Sequence, residues 1–310
     1  MQIGNTEIVD TFAEAFRMRY VRLVVTAHDS HWLDATLREF TGYASSVISC
    51  DAEIGVERML DAEETPDRRP GASVLVFGFS KELLAESVPN RTGQCVMTCP
   101  STAVYDGLVE EAERIPLGKH IRYFGDGFQK SKKLDSRRYW RIPVMDGEFL
   151  VEDRVGVAKG IGGGNIVIQA SSRDAVLAAA RRGTEAIDAV DGVIMPFPGG
   201  VARSGSKVGS IYKGLKASTA DAFCPTLRGR VETQLHDDTH FALEIVIDGV
   251  SEEVVASAMA SGIRAAVGEG VTAISAGNYG GKLGKFHFHL HKLLGPPFKQ
   301  DATRGQSVGG

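Results

Sequence analysis

Asn165-Ile166-Val167-Ile168-Gln169-Ala170 is an apolar run of strand length, and residues 174–187 after it form an alanine-rich stretch with helical spacing. Gly192 breaks that helix, and Val193-Ile194-Met195 reads as a strand again. Working outward, the chain repeats this unit. Residues 241–247 read as a strand, 251–266 as a helix that starts at Ser251 with Glu253 and Val254 behind it, and 271–275 as a strand. The first half carries the same order. Residues 22–27 form a strand, 31–40 a helix (Trp32, Leu33, Leu37 and Phe40 on one face) and, past Gly42, Ser46-Val47-Ile48-Ser49 a strand. Then 72–79 form a strand, 81–88 a helix and 94–98 a strand. Two βαβ units in each half predict an α+β chain of two ferredoxin-like (βαββαβ) lobes related by an internal repeat, each a split sheet with two helices on one face. The lobes are expected at about 1–150 and 151–295, followed by a flexible tail at 296–310 that is rich in glycine, serine and charge.

Composition sets the class. Of 310 residues, 43% are apolar and 24% charged, the balance of a soluble globular protein. The formal charge of −4, from 35 basic and 39 acidic residues, argues against a chain built to grip nucleic acid. No apolar run reaches the roughly 18 residues of a membrane helix. Residues 1–7 carry no basic flank ahead of an apolar stretch, so no secretory signal is expected. Cys50, Cys95, Cys99 and Cys224 are too few and too irregular for a disulfide framework or a four-thiolate zinc site, and a reducing cytoplasm is the simplest setting. Within the charged segment 110–148, Lys130-Ser131-Lys132-Lys133 and Arg137-Arg138 read as a solvated loop, with a polyanion contact as the alternative.

Two nucleotide motifs fail in detail. Gly160-Ile161-Gly162-Gly163-Gly164-Asn165 precedes its strand instead of following it and lacks the G-x-G-x-x-G spacing. Around Gly281-Lys282, Ala276 stands where a phosphate loop needs its first glycine, and Leu283 where it needs Ser or Thr. His287-Phe288-His289-Leu290-His291 would present three imidazoles on one face of a strand, but no glutamate or cysteine ligand follows at a workable spacing. A polar face of an edge or interface strand is expected there, and no metal. Cys95 and Cys99, four apart on the expected strand, read as core.

Three glycine-rich loops at strand ends are more informative: Pro196-Phe197-Pro198-Gly199-Gly200, Ser204-Gly205-Ser206-Lys207-Val208-Gly209-Ser210, and 276–285 with Gly277, Asn278 and Lys282. Glycine lets backbone amides approach a ligand, and lysine balances an anionic one. The same loops also read as tight connections in a repeat fold. Gly199, Gly200, Ser206, Lys207, Gly277, Asn278 and Lys282 are the candidate binding residues. Glu244 interrupts the apolar strand Phe241-Ala242-Leu243-Glu244-Ile245-Val246-Ile247, sharing a face with Ala242 and Val246. Such a carboxyl either loses hydration, stays protonated and donates a hydrogen bond to a developing oxyanion, or is an ordinary ionised glutamate on a partly exposed sheet.

Taken together, several blocks closely resemble the formylmethanofuran:tetrahydromethanopterin formyltransferases. They include Thr11-Phe12-Ala13-Glu14-Ala15-Phe16, Arg69-Pro70-Gly71, Gly93-Gln94-Cys95-Val96-Met97-Thr98, Phe124-Gly125-Asp126-Gly127 and Gly147-Glu148-Phe149. Pro196-Phe197-Pro198-Gly199-Gly200, Ser206-Lys207-Val208-Gly209-Ser210, Ala217-Ser218-Thr219, Cys224-Pro225-Thr226, Glu244-Ile245-Val246-Ile247 and Ile274-Ser275-Ala276-Gly277-Asn278 continue the series in family order. The resemblance implies a cytoplasmic enzyme with no bound prosthetic group, taking methanofuran and tetrahydromethanopterin as coenzyme substrates. It implies reversible formyl transfer between methanofuran and the ring amine of the pterin in one-carbon metabolism, with Glu244 in the proton or hydrogen-bond role. It also implies a homo-oligomer or a place in a formyltransferase/hydrolase complex, the bacterial form, towards which the modest acidity and the extra tail after Lys292 point. The readings opposed to it are a non-catalytic structural subunit of such a complex and a tetrahydrofolate-type one-carbon enzyme.

Overall fold

The computed structural model describes residues 1–295, so the expected tail at 296–310 lies outside the described residues. The first half runs β1 (Gln2–Ile3), β2 (Thr6–Ile8), β3 (Phe12–Thr26), α1 (Ser30–Thr41), β4 (Glu53–Leu60), β5 (Gly71–Gly78), α2 (Lys81–Arg91) and β6 (Ala103–Asp106). Next come β7 (Arg114–Pro116), α3 (Gly118–Ile121), β8 (Lys130–Leu134), β9 (Arg137–Val144), β10 (Gly147–Glu152) and β11 (Arg154–Gly156). The second half runs β12 (Ala158–Ala170), α4 (Arg173–Asp188), β13 (Val193–Ile194), β14 (Val201–Ala202), β15 (Lys207–Val208) and β16 (Ala217–Ser218). It ends with β17 (Phe241–Gly249), α5 (Glu252–Ala266), β18 (Val271–Ser275), β19 (Phe286–His289) and α6 (Leu290–Leu294).

The repeat is real in space. The first lobe orders its strands β4-β5-β3-β6 and the second β13/β14-β17-β12-β18, so each places its first strand between its third and fourth. All these pairings are antiparallel, the arrangement of a ferredoxin-like sheet. Each fourth strand takes one further strand in parallel, β10 beside β6 and β2 beside β18. Residues 2–8 therefore extend the sheet of the second lobe. The four long helices begin on side-chain caps: Asp29, Ser80, Ser172 and Ser251 each accept from a backbone N–H three residues on. Ile166, Ile168, Ile245 and Ile247 are buried beneath α4 and α5, while Val21, Leu23, Val74 and Val76 are buried beneath α1 and α2.

Several local expectations are corrected. Residues 46–49 form a turn, and the second strand of the first lobe is β4, with a bulge between Val56 and Arg58 that breaks its alternation. Residues 94–98 are not a strand: α2 runs past Pro89 into a π-helical turn, Thr92–Val96, and the fourth strand is β6. A proline withholds a ladder donor, and such helices resume with irregular turns. Cys95 and Cys99 consequently sit half-buried in that turn and the next. The charged segment is a β-meander, β8-β9-β10, not a loop; Lys130 to Leu134 is an exposed edge strand, a placement that charge keeps from sticking. Of the three histidines, His287 and His289 lie on β19 with their rings 5.0 and 5.2 Å from the Phe12 ring, while His291 lies in the first turn of α6 and its Nε2 meets the Ile8 carbonyl at 2.8 Å.

The lobes fuse where residues 16–20 of β3 pair with 158–162 of β12. Gly160 lies under the stacked rings of Tyr20 and Phe77, and a Cβ there would sit 2.7 Å from Phe77 Cε1 and 2.9 Å from Tyr20 Cδ1. Gly160→Ala is therefore expected to destabilise the fold by about 1–3 kcal/mol through overpacking. Urea unfolding checks this; an unchanged midpoint would show that the rings give way freely.

Candidate active site

Strand alternation puts Glu244, Val246 and Asp248 on the face of β17 opposite the helices. β12 and β14 flank Glu244 by backbone pairing, at Val167 and Ala202. Two glycines leave room for its carboxyl: a Cβ on Gly205 would lie 3.5 Å from Oε2, and one on Gly277 3.8 Å from Oε1. Gly205 also has φ +53°, in the left-handed region that favours glycine. Burial pushes the Glu244 carboxyl up to about 7, and no charge or hydrogen bond offsets it. Glu244 and Ser206 line two cavities at once. One, of about 110 Å³, lies between the lobes and is walled by Val47, Glu53, Asn165 and Tyr279; the other, of about 60 Å³, lies within the second lobe against Phe223 and Cys224.

A second acid organises the cleft. Glu14, buried on β3 between Ala13 and Ala15, accepts from the backbone N–H groups of Tyr279 (2.7 Å), Gly281 (2.9 Å), Leu283 (2.6 Å) and Gly284 (2.5 Å). Burial pushes its carboxyl up, but these four donors outweigh burial and hold it below its ordinary value. The loop after β18 thus wraps around a fixed anion. Asn165 holds the other end: its Oδ1 accepts from Gly277 N–H at 2.6 Å, and its Nδ2 donates to the carbonyls of Gly277 (3.1 Å) and Gly163 (3.2 Å). Tyr279, carried by this loop, lines the same cavity as Ser206; burial raises its hydroxyl pKa, Ser206 opposes the rise, and Glu244 and Glu14 add to it.

The structure brings Glu244, Ser206 and Gly277 together. The Gly277 N–H is engaged by Asn165. Lys207, one residue from Ser206, pairs with Asp221 at the surface. Gly199 and Gly200 line a separate cavity of about 630 Å³, with Phe197 as the wall it shares with the cavity between the lobes. Asn278 turns to Thr11 Oγ1 and the Phe12 carbonyl, and Lys282 is exposed. Among the described residues, no group of three or more His, Cys, Asp or Glu side chains is placed to hold a metal. Glu14 and Asn165 were not singled out from the sequence. The available signal for Glu14 was the one that marked Glu244, a lone acid in a strand of small and apolar residues.

The family model described as formylmethanofuran-tetrahydromethanopterin formyltransferase matches residues 1–144, and its companion for the proximal lobe matches 147–293. A formylmethanofuran–tetrahydromethanopterin formyltransferase of Methylococcus capsulatus is 53% identical over 298 residues, spanning 95% of this chain and all of that one. The structure of the Methanosarcina barkeri formylmethanofuran:tetrahydromethanopterin formyltransferase superposes with a TM-score of 0.89 at 44% identity, over 94% of this chain and all of that one. A chain of the Methylorubrum extorquens formyltransferase/hydrolase complex, solved with methylofuran, gives 0.92 at 45% identity, over 96% of this chain and 99% of that one.

Glu14→Gln puts an amide N–H₂ against backbone donors and is expected to cost about 1–3 kcal/mol for each donor left unpaired. The lowered Glu14 pKa means that its contribution is present above the usual carboxylate range and is lost as pH falls through the folded-state value. The stability gap between wild type and Glu14→Gln is therefore expected to be widest at neutral pH and to narrow on acidification. Denaturant titrations at stepped pH check it, and a constant gap would contradict it.

Proposed function

We propose, since this chain belongs to the formylmethanofuran–tetrahydromethanopterin formyltransferase family, that it transfers a formyl group reversibly between methanofuran and the ring amine of tetrahydromethanopterin. The single observation that carries the reading is the Glu244 carboxyl, buried, poised near neutral pH and shared by two cavities. A formamide is a poor acyl donor, so attack by a secondary amine passes through a tetrahedral oxyanion. The new C–N bond forms to the pterin, the old one to methanofuran breaks, and a proton moves from the attacking to the leaving nitrogen. Glu244 in its acid form donates to the formyl oxygen and, in turn, manages that proton. Ser206 and Tyr279 present hydroxyls to the same space. Gly277 and Gly205 clear room for the carboxyl, and Lys207 and Lys282 suit the anionic tails of the coenzymes, with Gly199, Gly200 and Asn278 shaping the approaches.

The relatives are named as enzymes, which favours catalysis over a purely structural subunit. The likeness to a chain of a formyltransferase/hydrolase complex supports assembly with itself or with hydrolase subunits. Among the described residues no helix is long and apolar enough to cross a membrane, and a cytoplasmic setting fits the coenzyme chemistry.

The direct test is an assay of purified protein with formylmethanofuran and tetrahydromethanopterin, following formyl-pterin by absorbance; no turnover would refute the proposal. Glu244→Ala is expected to lose about 100–1000-fold in turnover. Glu244→Gln retains much of the rate if oxyanion donation dominates, and falls about 100-fold or more with the alanine variant if proton transfer does. Because the acid form is the working one, kcat/KM should fall as pH rises through about 7, and that limb should be missing in Glu244→Gln. A folded Glu244→Ala enzyme at wild-type rate would remove Glu244 from the chemistry.

A further inference from the structure

Glu53 opens β4 in the first lobe, and Asp248 lies near the end of β17 in the second; both side chains are buried, and they are brought together across the lobe boundary where Gly55 of β4 packs against Ile194, the backbone partner of Asp248. Each has one oxygen satisfied by backbone. Glu53 Oε1 accepts from Val47 N–H at 2.9 Å, and Asp248 Oδ1 accepts from Gly163 N–H at 2.9 Å. Asp248 Oδ2 is buried with no donor of its own. Two carboxylates in contact and out of water do not both ionise, whereas a pair holding one proton turns two repelling acceptors into a donor and an acceptor. That proton gives the orphaned oxygen its partner.

We propose that Glu53 and Asp248 share one proton across the lobe boundary and thereby hold the walls of the Glu244 cavity in register, as positioning residues for the transfer. The role in transfer rests on the reading of Glu244 given above. The pair ties two pieces of backbone that wall this cavity. Val47 belongs to the turn after α1, and Gly163, at φ +86°, to the β12 bulge between Ile161 and Gly164. Asp248 is also on the same face of β17 as Glu244, two alternations away. Burial first, and then Glu53, push Asp248 well up, and burial pushes Glu53 up. Around Asp248 the other packed strands offer no opposing charge: β12 supplies the Gly163 N–H and β13 pairs through the backbone of Ile194. Around Glu53, the Val47 N–H is the remaining partner. Loss of the shared proton at high pH therefore loosens the contact between the lobes beside the reacting groups.

Asp248→Asn keeps the shape and donates to an ionised Glu53 without a titrating proton. Near neutral pH it is expected to keep kcat/KM within about threefold of wild type and to lose the alkaline fall-off that belongs to the pair, leaving the Glu244 limb. Glu53→Ala removes the tie and is expected to lower kcat/KM about 10–100-fold, with Glu53→Gln restoring most of it. A readout independent of catalysis is the infrared carboxylic-acid C=O band of the free protein at neutral pH, part of which should vanish in Asp248→Asn. An infrared spectrum unchanged by Asp248→Asn overturns the shared proton. A folded Glu53→Ala enzyme with wild-type kcat/KM and pH profile overturns the positioning role. A wild type inactive in formyl transfer fells the site reading and the positioning role with it, while the infrared band still decides the proton.

Discussion

The antiparallel pairing of residues 16–20 with 158–162 is the constraint on which the rest of the molecule depends, because it fuses two four-stranded sheets into one and fixes where the lobes face each other. Such close approach demands small residues. A Cβ on Gly162 would fall 2.1 Å from Met18 Sδ, and one on Gly164 2.6 Å from Val255 Cγ1. The run from Gly160 to Asn165 is thus a packing device: its glycines admit the neighbouring lobe and the helix, and its bulge aims Gly163 and Asn165 towards the cleft.

Buried acids occur in both lobes and along the cleft between them, and the way each is satisfied distinguishes its role. Glu57, buried in the first lobe, is held by Arg22 in two hydrogen bonds and by Ser73. Glu14 is held by four backbone donors and anchors the loop after β18 that folds around it. Glu53 and Asp248 meet each other. Glu244 alone of these five has no offsetting partner and faces open space on two sides. A fully satisfied carboxylate is pinned in one protonation state by its donors. An unsatisfied one, raised by burial, is free to exchange its proton with whatever enters.

This arrangement also explains why the glycine-rich loops divide in function. The loop after β18 is pinned at both ends, by Asn165 at Gly277 and by Glu14 further on, so its glycines serve backbone geometry close to Glu244. The 196–200 loop interrupts the second strand of the second lobe between β13 and β14, and there Gly199 and Gly200, at φ +61° and +77°, open a larger space on the far side of Phe197. Gly200 is further required by Thr184, whose Cγ2 would be 2.8 Å from a Cβ.

By itself the sequence determined the two-lobed βαββαβ plan, because strand and helix periods are local properties of apolar spacing, and it marked Glu244, because an acid in an apolar strand stands out against its neighbours. It misread residues 46–49 and 94–98, since a short apolar run reports burial and not backbone conformation, and the π-helical turn after Pro89 is settled by packing. It read the lysines of 130–133 as a loop because an edge strand exposed on both faces lacks alternation. The tertiary structure alone decided the partners of the buried polar groups. Glu14 finds its donors more than 260 residues away, Asn165 finds Gly277 at a separation of 112, and Glu53 and Asp248 meet across a lobe boundary. A hydrogen bond is satisfied by proximity in space, and no period in the chain encodes which distant backbone the fold will bring within 3 Å of a carboxyl.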